Sequence, residues 1–287
     1  MAEPLGEPAD RRTVRDGQVP VTVERGLVYA TAGGTELRLD VHRPDGPGTP
    51  VVLYAHGGGW TRDDRGTDAE TRLAPLAAQG ITVVSADYRR ASRAVFPQQV
   101  HDLKGAVRWL RAHGPRLGLA TERLGVWGAS AGAYLVSLLA LSEGEEELEG
   151  TVGGHLDRSS AVQAVVHWFG QTDLVASASR SALERRLLPF HFEADLLGTT
   201  EEELLAERAR RWSLLSRVSA GAPPFLVAHG DRDRIVPPAQ GFALHQALVR
   251  AGARSRLELL GGAGHEDAEF GSRATLAATA AWLRAVL

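Results

Sequence analysis

Apolar positions along this chain come in short continuous runs, separated by longer stretches where they recur at helical intervals. Val21–Ala30 and Glu36–Arg43 read as an opening pair of strands joined around Gly33-Gly34. Pro50–Ala55 is almost continuously apolar, the pattern of a strand buried on both faces. A helix is expected over about Asp68–Gln79, then a strand at Ile81–Asp87. Pro97 stands near the start of the next helix, which carries Asp102, Val107 and Leu110. Leu124–Trp127 is a further strand and runs directly into a helix beginning near Ala131. Val162–Phe169, Phe225–Ala228 and Arg256–Leu260 complete the strands, and the amphipathic stretch Ala274–Val286 closes the chain. This alternation predicts an α/β fold, a mostly parallel central sheet flanked by helices.

Two segments break the alternation. Glu143–Glu149 is an acidic run, expected as a solvated loop. Leu174–Ala220 is rich in arginine and leucine with two helical patterns, and Thr200 followed by Glu203 has capping-box spacing. A helical insertion between core strands is expected as a short cap over a binding site, part of one domain rather than a second one. The organisation expected is a flexible segment over 1–20 and a single domain over 21–287, with the cap at about 174–220.

Composition narrows the function classes. With 287 residues, 44% of them hydrophobic and 23% charged, the chain can bury a sizeable core. A net charge of -3 gives no reason to expect nucleic acid or an anionic membrane as partner. The absence of cysteine excludes disulfides, thiolate catalysis and zinc–thiolate sites. The polar first residues do not read as a signal peptide and no stretch is apolar enough to cross a bilayer, so a cytoplasmic protein is expected. There is no Gly-Lys-Ser/Thr phosphate loop and no His-Glu-x-x-His, and no cofactor or metal is expected.

The chemistry concentrates in the glycine-rich turns. Gly128-Ala129-Ser130-Ala131-Gly132 lies between a strand and a helix. A tight strand-to-helix turn forces its serine into a strained conformation and presents the hydroxyl at a helix N-terminus. His56-Gly57-Gly58-Gly59-Trp60 follows the strand ending at Ala55, where backbone N–H groups could converge on an oxyanion. Trp60 is expected either to pack or to line the substrate pocket.

Together these two motifs resemble those of the hormone-sensitive-lipase-like branch of the α/β-hydrolases, which includes bacterial carboxylesterases, acetyl-xylan and feruloyl esterases, and arylformamidases. The resemblance spans about Arg38 to Glu269 and implies oxyanion donors at Gly58, Gly59 and Ala131, with the inward-facing pair of loop glycines left open. In this fold the order is serine, acid, histidine. After the insertion come His229, His245 and His265; the Gly261-Gly262-Ala263-Gly264-His265 loop after the last strand makes His265 the expected base. By resemblance to an Asp-x-x-Val-Pro run the acid is Asp233, with Asp231 and Asp173 as alternatives. Ala133-Tyr134 departs from the Gly-His that relatives often carry and is expected to narrow the space behind the serine.

The expected function is therefore a serine hydrolase of small or short-chain carboxylic esters. Amide or formamide hydrolysis by the same triad is the alternative, and a non-catalytic binding protein the third reading. The natural substrate and homodimer formation stay open.

Overall fold

In the computed structural model, residues 19–178 and 191–287 are described, together with 10–12 and the single positions 181, 183 and 186. Among them nine strands form one sheet: β1 (Asp10–Arg12), β2 (Val21–Ala32), β3 (Thr35–Pro44), β4 (Val51–Ala55), β5 (Thr82–Ala86), β6 (Leu124–Ala129), β7 (Ala164–Trp168), β8 (Phe225–Gly230) and β9 (Ser255–Leu260). Their spatial order is β1-β2-β3-β5-β4-β6-β7-β8-β9. The first four are joined antiparallel, and every pairing from β5 to β9 is parallel. The chain reverses direction across the sheet between β4 and β5 on one side and β6 on the other, so the carboxyl ends of β4 and β6 lie side by side, with Ala55 opposite Gly128. That crevice is where an open parallel sheet receives its ligand.

Side chains of β4 alternate between two cores. Val51, Leu53 and Ala55 belong to one apolar cluster, Val52 and Tyr54 to the other. Helices α2 (Gln98–His113) and α3 (Ala131–Leu141) cover the first face. The short α1 (Ala74–Ala77) and the closing helix over Arg273–Val286 cover the second. Because both faces are buried, the central strands are mostly apolar rather than alternating, with Thr82, Ser85, His167 and His229 as buried polar exceptions. No described helix is long and apolar enough to cross a membrane.

Three expectations change. The helix expected over 68–79 is split into a π-helical turn, Ala69–Leu73, and α1, with Pro75 in the first turn of the latter. Ahead of β2, Asp10 to Arg12 form β1 and pair with Val23 to Val21 along the otherwise open edge of β2; residues 1–9 and 13–18 of the segment expected to be flexible lie outside the described set. The acidic run ends in a helical turn, α4 (Glu146–Glu149), and Glu149 receives Lys104 Nζ at 2.7 Å. Thr200 caps nothing: the helix there starts at Glu202 with Glu201 as N-cap, and Thr199 Oγ1 accepts the Glu201 N–H at 3.2 Å.

Of the insertion, α5 (Leu174–Ala178), α6 (Phe192–Leu197) and α7 (Glu202–Arg211) are described, while 179, 180, 182, 184, 185 and 187–190 are not. It docks on the body through backbone bonds, Phe96 N to Leu196 O at 3.2 Å and Leu214 N to Thr172 O at 3.0 Å. The Tyr134 hydroxyl adds a third bond, donated to Trp212 O at 2.9 Å. The chain then returns through β8, α8 (Ala239–Arg250), β9 and the closing helix, α9 (Arg273–Val286).

Candidate active site

Ser130 sits between β6 and α3 with φ 52 and ψ -119, a conformation L residues seldom adopt. Its N–H donates to Trp168 O at 2.9 Å, which ties the turn to the end of β7. The flanking glycines are needed for close approach rather than for their own dihedrals. A Cβ on Gly132 would overlap the carbonyls of Ala55 and His56, and one on Gly128 would overlap the Gly132 backbone.

Ser130 Oγ lies 2.9 Å from His265 Nε2, and His265 Nδ1 lies 2.7 Å from Asp233 Oδ2. His265 comes from the loop after β9 and Asp233 from the loop after β8, so three separate chain segments meet at one line of hydrogen bonds. Asp233 is buried, and its other oxygen accepts the N–H groups of Ile235 and Val236, each at 2.9 Å. Burial alone would raise this carboxyl; hydrogen bonds from His229 and His265 and the backbone N–H groups outweigh it and hold it down at about 2.

The competing acids are occupied elsewhere. Asp231 accepts Gly262 N at 2.7 Å and shapes its turn, and Asp173 accepts Val175 N at 2.9 Å at the start of α5. Of the other histidines, His229 Nε2 lies 2.9 Å from Val236 O and 3.3 Å from Asp233 Oδ2, while His245 Nδ1 meets Ser255 Oγ at 2.9 Å.

The glycine loop faces the serine. Gly58 and Gly59 have φ of 90 and 59, which glycine accommodates without a Cβ penalty. The Tyr88 ring stacks on His56 at 4.3 Å, and its hydroxyl donates to His56 O at 3.0 Å and to Gly57 O at 3.3 Å. Of the two places expected for Trp60, the structure has it packed. Its side chain is fully buried, edge-on to Tyr134, with Nε1 donating to Ala131 O at 3.0 Å. It thus pins the loop to the first turn of α3. Phe192 of α6 occupies the space a Gly59 side chain would need, bringing the insertion directly onto the loop.

Three neighbours were not singled out from sequence. Phe169, φ 38, meets the His265 ring edge-on at 5.0 Å. Arg72 lies 5.5 Å over the Phe169 ring and pairs with Asp68 at 3.1 Å. Glu266 follows His265 with φ 61. Only Glu266 had a sequence signal, its place beside the histidine in a glycine-rich loop.

A strained serine at the carboxyl edge of a parallel sheet, facing a glycine loop and a histidine on a carboxylate, defines an α/β-hydrolase of the hormone-sensitive-lipase-like carboxylesterase branch. The family model described as BD-FAE matches residues 39–248, and the chain belongs to that family. It is similar to the Mycobacterium tuberculosis esterase LipQ, 33% identical over 227 residues, 77% of this chain and 52% of that protein. It is likewise similar to esterase LipC of the same organism, 34% identical over 233 residues, 79% of this chain and 56% of that protein. The chain thus spans about half the length of these curated relatives. Among solved structures, a truncated carbohydrate esterase from gut microbiota superposes with a TM-score of 0.78 at 22% identity, over 99% of this chain and 98% of that one, a likeness of fold.

Proposed function

We propose that the chain is a carboxylic ester hydrolase working through an acyl-enzyme on Ser130. The observation that carries this reading is the unbroken line from Ser130 Oγ to His265 at 2.9 Å and from His265 to Asp233 at 2.7 Å. The two relatives named as esterases support the same reaction.

In this mechanism His265 Nε2 takes the Ser130 proton as Oγ bonds to the carbonyl carbon. Asp233 holds the imidazole with Nδ1 protonated and stabilises its cation. The carbonyl oxygen becomes an oxyanion among the N–H groups of Gly58, Gly59 and Ala131, aided by the N-terminus of α3. Collapse breaks the ester C–O bond and the alcohol leaves with the proton from His265. Water then repeats the sequence on the acyl-enzyme and frees the acid.

Short acyl groups are the proposed substrates. Ser130 is only 6% exposed, and Phe192 closes over Gly59, so the site accepts a small group more readily than a long chain. A fluorophosphonate should label Ser130, and the protein should turn over p-nitrophenyl acetate and butyrate faster than octanoate. Ser130→Ala should lose about 10⁴-fold or more in kcat with its fold intact. Residual activity within about a thousandfold of wild type would sink the assignment.

A further inference from the structure

Glu266 has a backbone that an L residue rarely adopts, φ 61, immediately after His265. Such strain persists where the surroundings hold it and is concentrated at working sites. Here the loop is held on both sides: His265 by Asp233 at 2.7 Å, the Glu266 carbonyl by Arg72 Nη2 at 3.4 Å. The left-handed turn sends the side chain back over the glycine loop. A Cβ on Gly57 would lie 2.8 Å from Glu266 Oε1 and 3.5 Å from Ser130 Cβ. Unlike Gly58 and Gly59, Gly57 has no left-handed φ. The carboxylate thus reaches the space beside Gly57 and Ser130.

The carboxylate of Glu266 accepts no hydrogen bond from any described residue. Exposed to solvent and acted on by the Arg72 charge, it still offers an anionic acceptor beside the position of the reacting carbonyl. An ester bearing its own carboxylate near the scissile bond would meet like charge there. A substrate hydroxyl would find an acceptor. The Arg72 guanidinium, which touches the Glu266 carbonyl and acts on its charge from the protein side, tempers that repulsion without removing the acceptor.

We propose that Glu266 is a specificity-determining residue: it selects esters with a free hydroxyl beside the scissile bond and rejects esters with a carboxylate there. This rests on the esterase reading above.

The test compares kcat/KM for ethyl acetate, glycerol monoacetate and monoethyl succinate in wild type, Glu266→Gln and Glu266→Ala. The ratio of ethyl acetate to monoethyl succinate should fall about tenfold in both variants, since both remove the charge. The ratio of glycerol monoacetate to ethyl acetate should fall about fivefold or more in Glu266→Ala, which removes the acceptor, and less in Glu266→Gln. Equal losses on all three esters would mean a purely structural role in the His265 loop, and unchanged ratios a bystander; either overturns the proposal. Fluorophosphonate labelling of wild type separates the two ideas. Labelled Ser130 with unchanged ratios removes only the role of Glu266, whereas no label and no turnover removes the esterase reading and this one with it.

Discussion

At Asp233 two opposing effects act on one carboxyl. Burial disfavours its charge, yet hydrogen bonds from His229, His265 and two backbone N–H groups win and hold it at about 2. A carboxyl depressed in the folded state adds stability that is fully present above its unfolded value near ~4 and is lost as pH falls through about 2. It is thus ionised throughout the working range, and an acid limb in the rate profile near neutrality cannot come from it. Asp233→Asn should lower kcat by about 10⁴-fold, because an amide cannot accept from His265 with the strength of a carboxylate or hold the same tautomer. Ester kinetics beside urea unfolding would check it. A kcat within tenfold of wild type would remove Asp233 from the mechanism.

Between elements, the single lysine of the chain carries an unexpected load. Lys104 is fully buried on α2 and donates to Ser142 O and to Glu149 Oε1 of α4, each at 2.7 Å. Glu149 also receives Ser160 Oγ at 2.7 Å and Gly144 N at 3.1 Å, and Arg108 stands 3.4 Å away. Burial pushes the lysine down and its acidic partner pushes it back up, so the ammonium depends on Glu149. The two ends of this pair are unequal. Glu149→Ala strands a buried cation and should cost about 3 kcal/mol or more. Lys104→Met leaves an apolar stem and a carboxylate still served by three other donors, and should cost clearly less. Denaturant midpoints of the two variants decide it, and the reverse order would refute the asymmetry. The acidic run looked like a solvated loop because charge in one dimension does not reveal a partner on another helix.

For the molecule as a whole, His167 contributes a pH dependence of stability, in the same direction as the buried His56, whose pKa burial also lowers. It lies on β7 with Nδ1 2.8 Å from Ser137 Oγ of α3 and Nε2 3.2 Å from Gly170 O. Burial, with the charge of His229 adding to it, lowers its pKa to about 4. Between roughly 6.5 and 4 the unfolded chain therefore binds a proton that the folded chain refuses, and stability falls as pH falls through that window. The full effect is about 3 kcal/mol. His167→Gln should be less stable than wild type at pH 7.5 but lose less between pH 7.5 and 4.5. Parallel losses of Tm in the two proteins would exclude His167 as the source.

Much of this architecture is written locally. The apolar runs read as strands at Pro50–Ala55, Leu124–Trp127 and Phe225–Ala228 needed only local pattern and their bounding turns, and the strands formed there run over Val51–Ala55, Leu124–Ala129 and Phe225–Gly230. The Gly128–Gly132 turn and the three glycines after His56 were legible because tight turns and close backbone approach restrict residue type within a few positions. What the chain could not announce depends on meetings between distant segments. The choice of Asp233 over Asp231 and Asp173 as the partner of His265 became a matter of distance only when the loops after β8 and β9 were brought together. Trp60 packs rather than lines a pocket because Ala131 and Tyr134 cover it. The Glu266 carboxylate beside Gly57 and the Arg72 contact to its carbonyl bring together residues far apart in the chain. Local sequence determined which elements form and which turns they need; tertiary structure decided which polar groups lose water together, and that shared desolvation sets their charge and their partners.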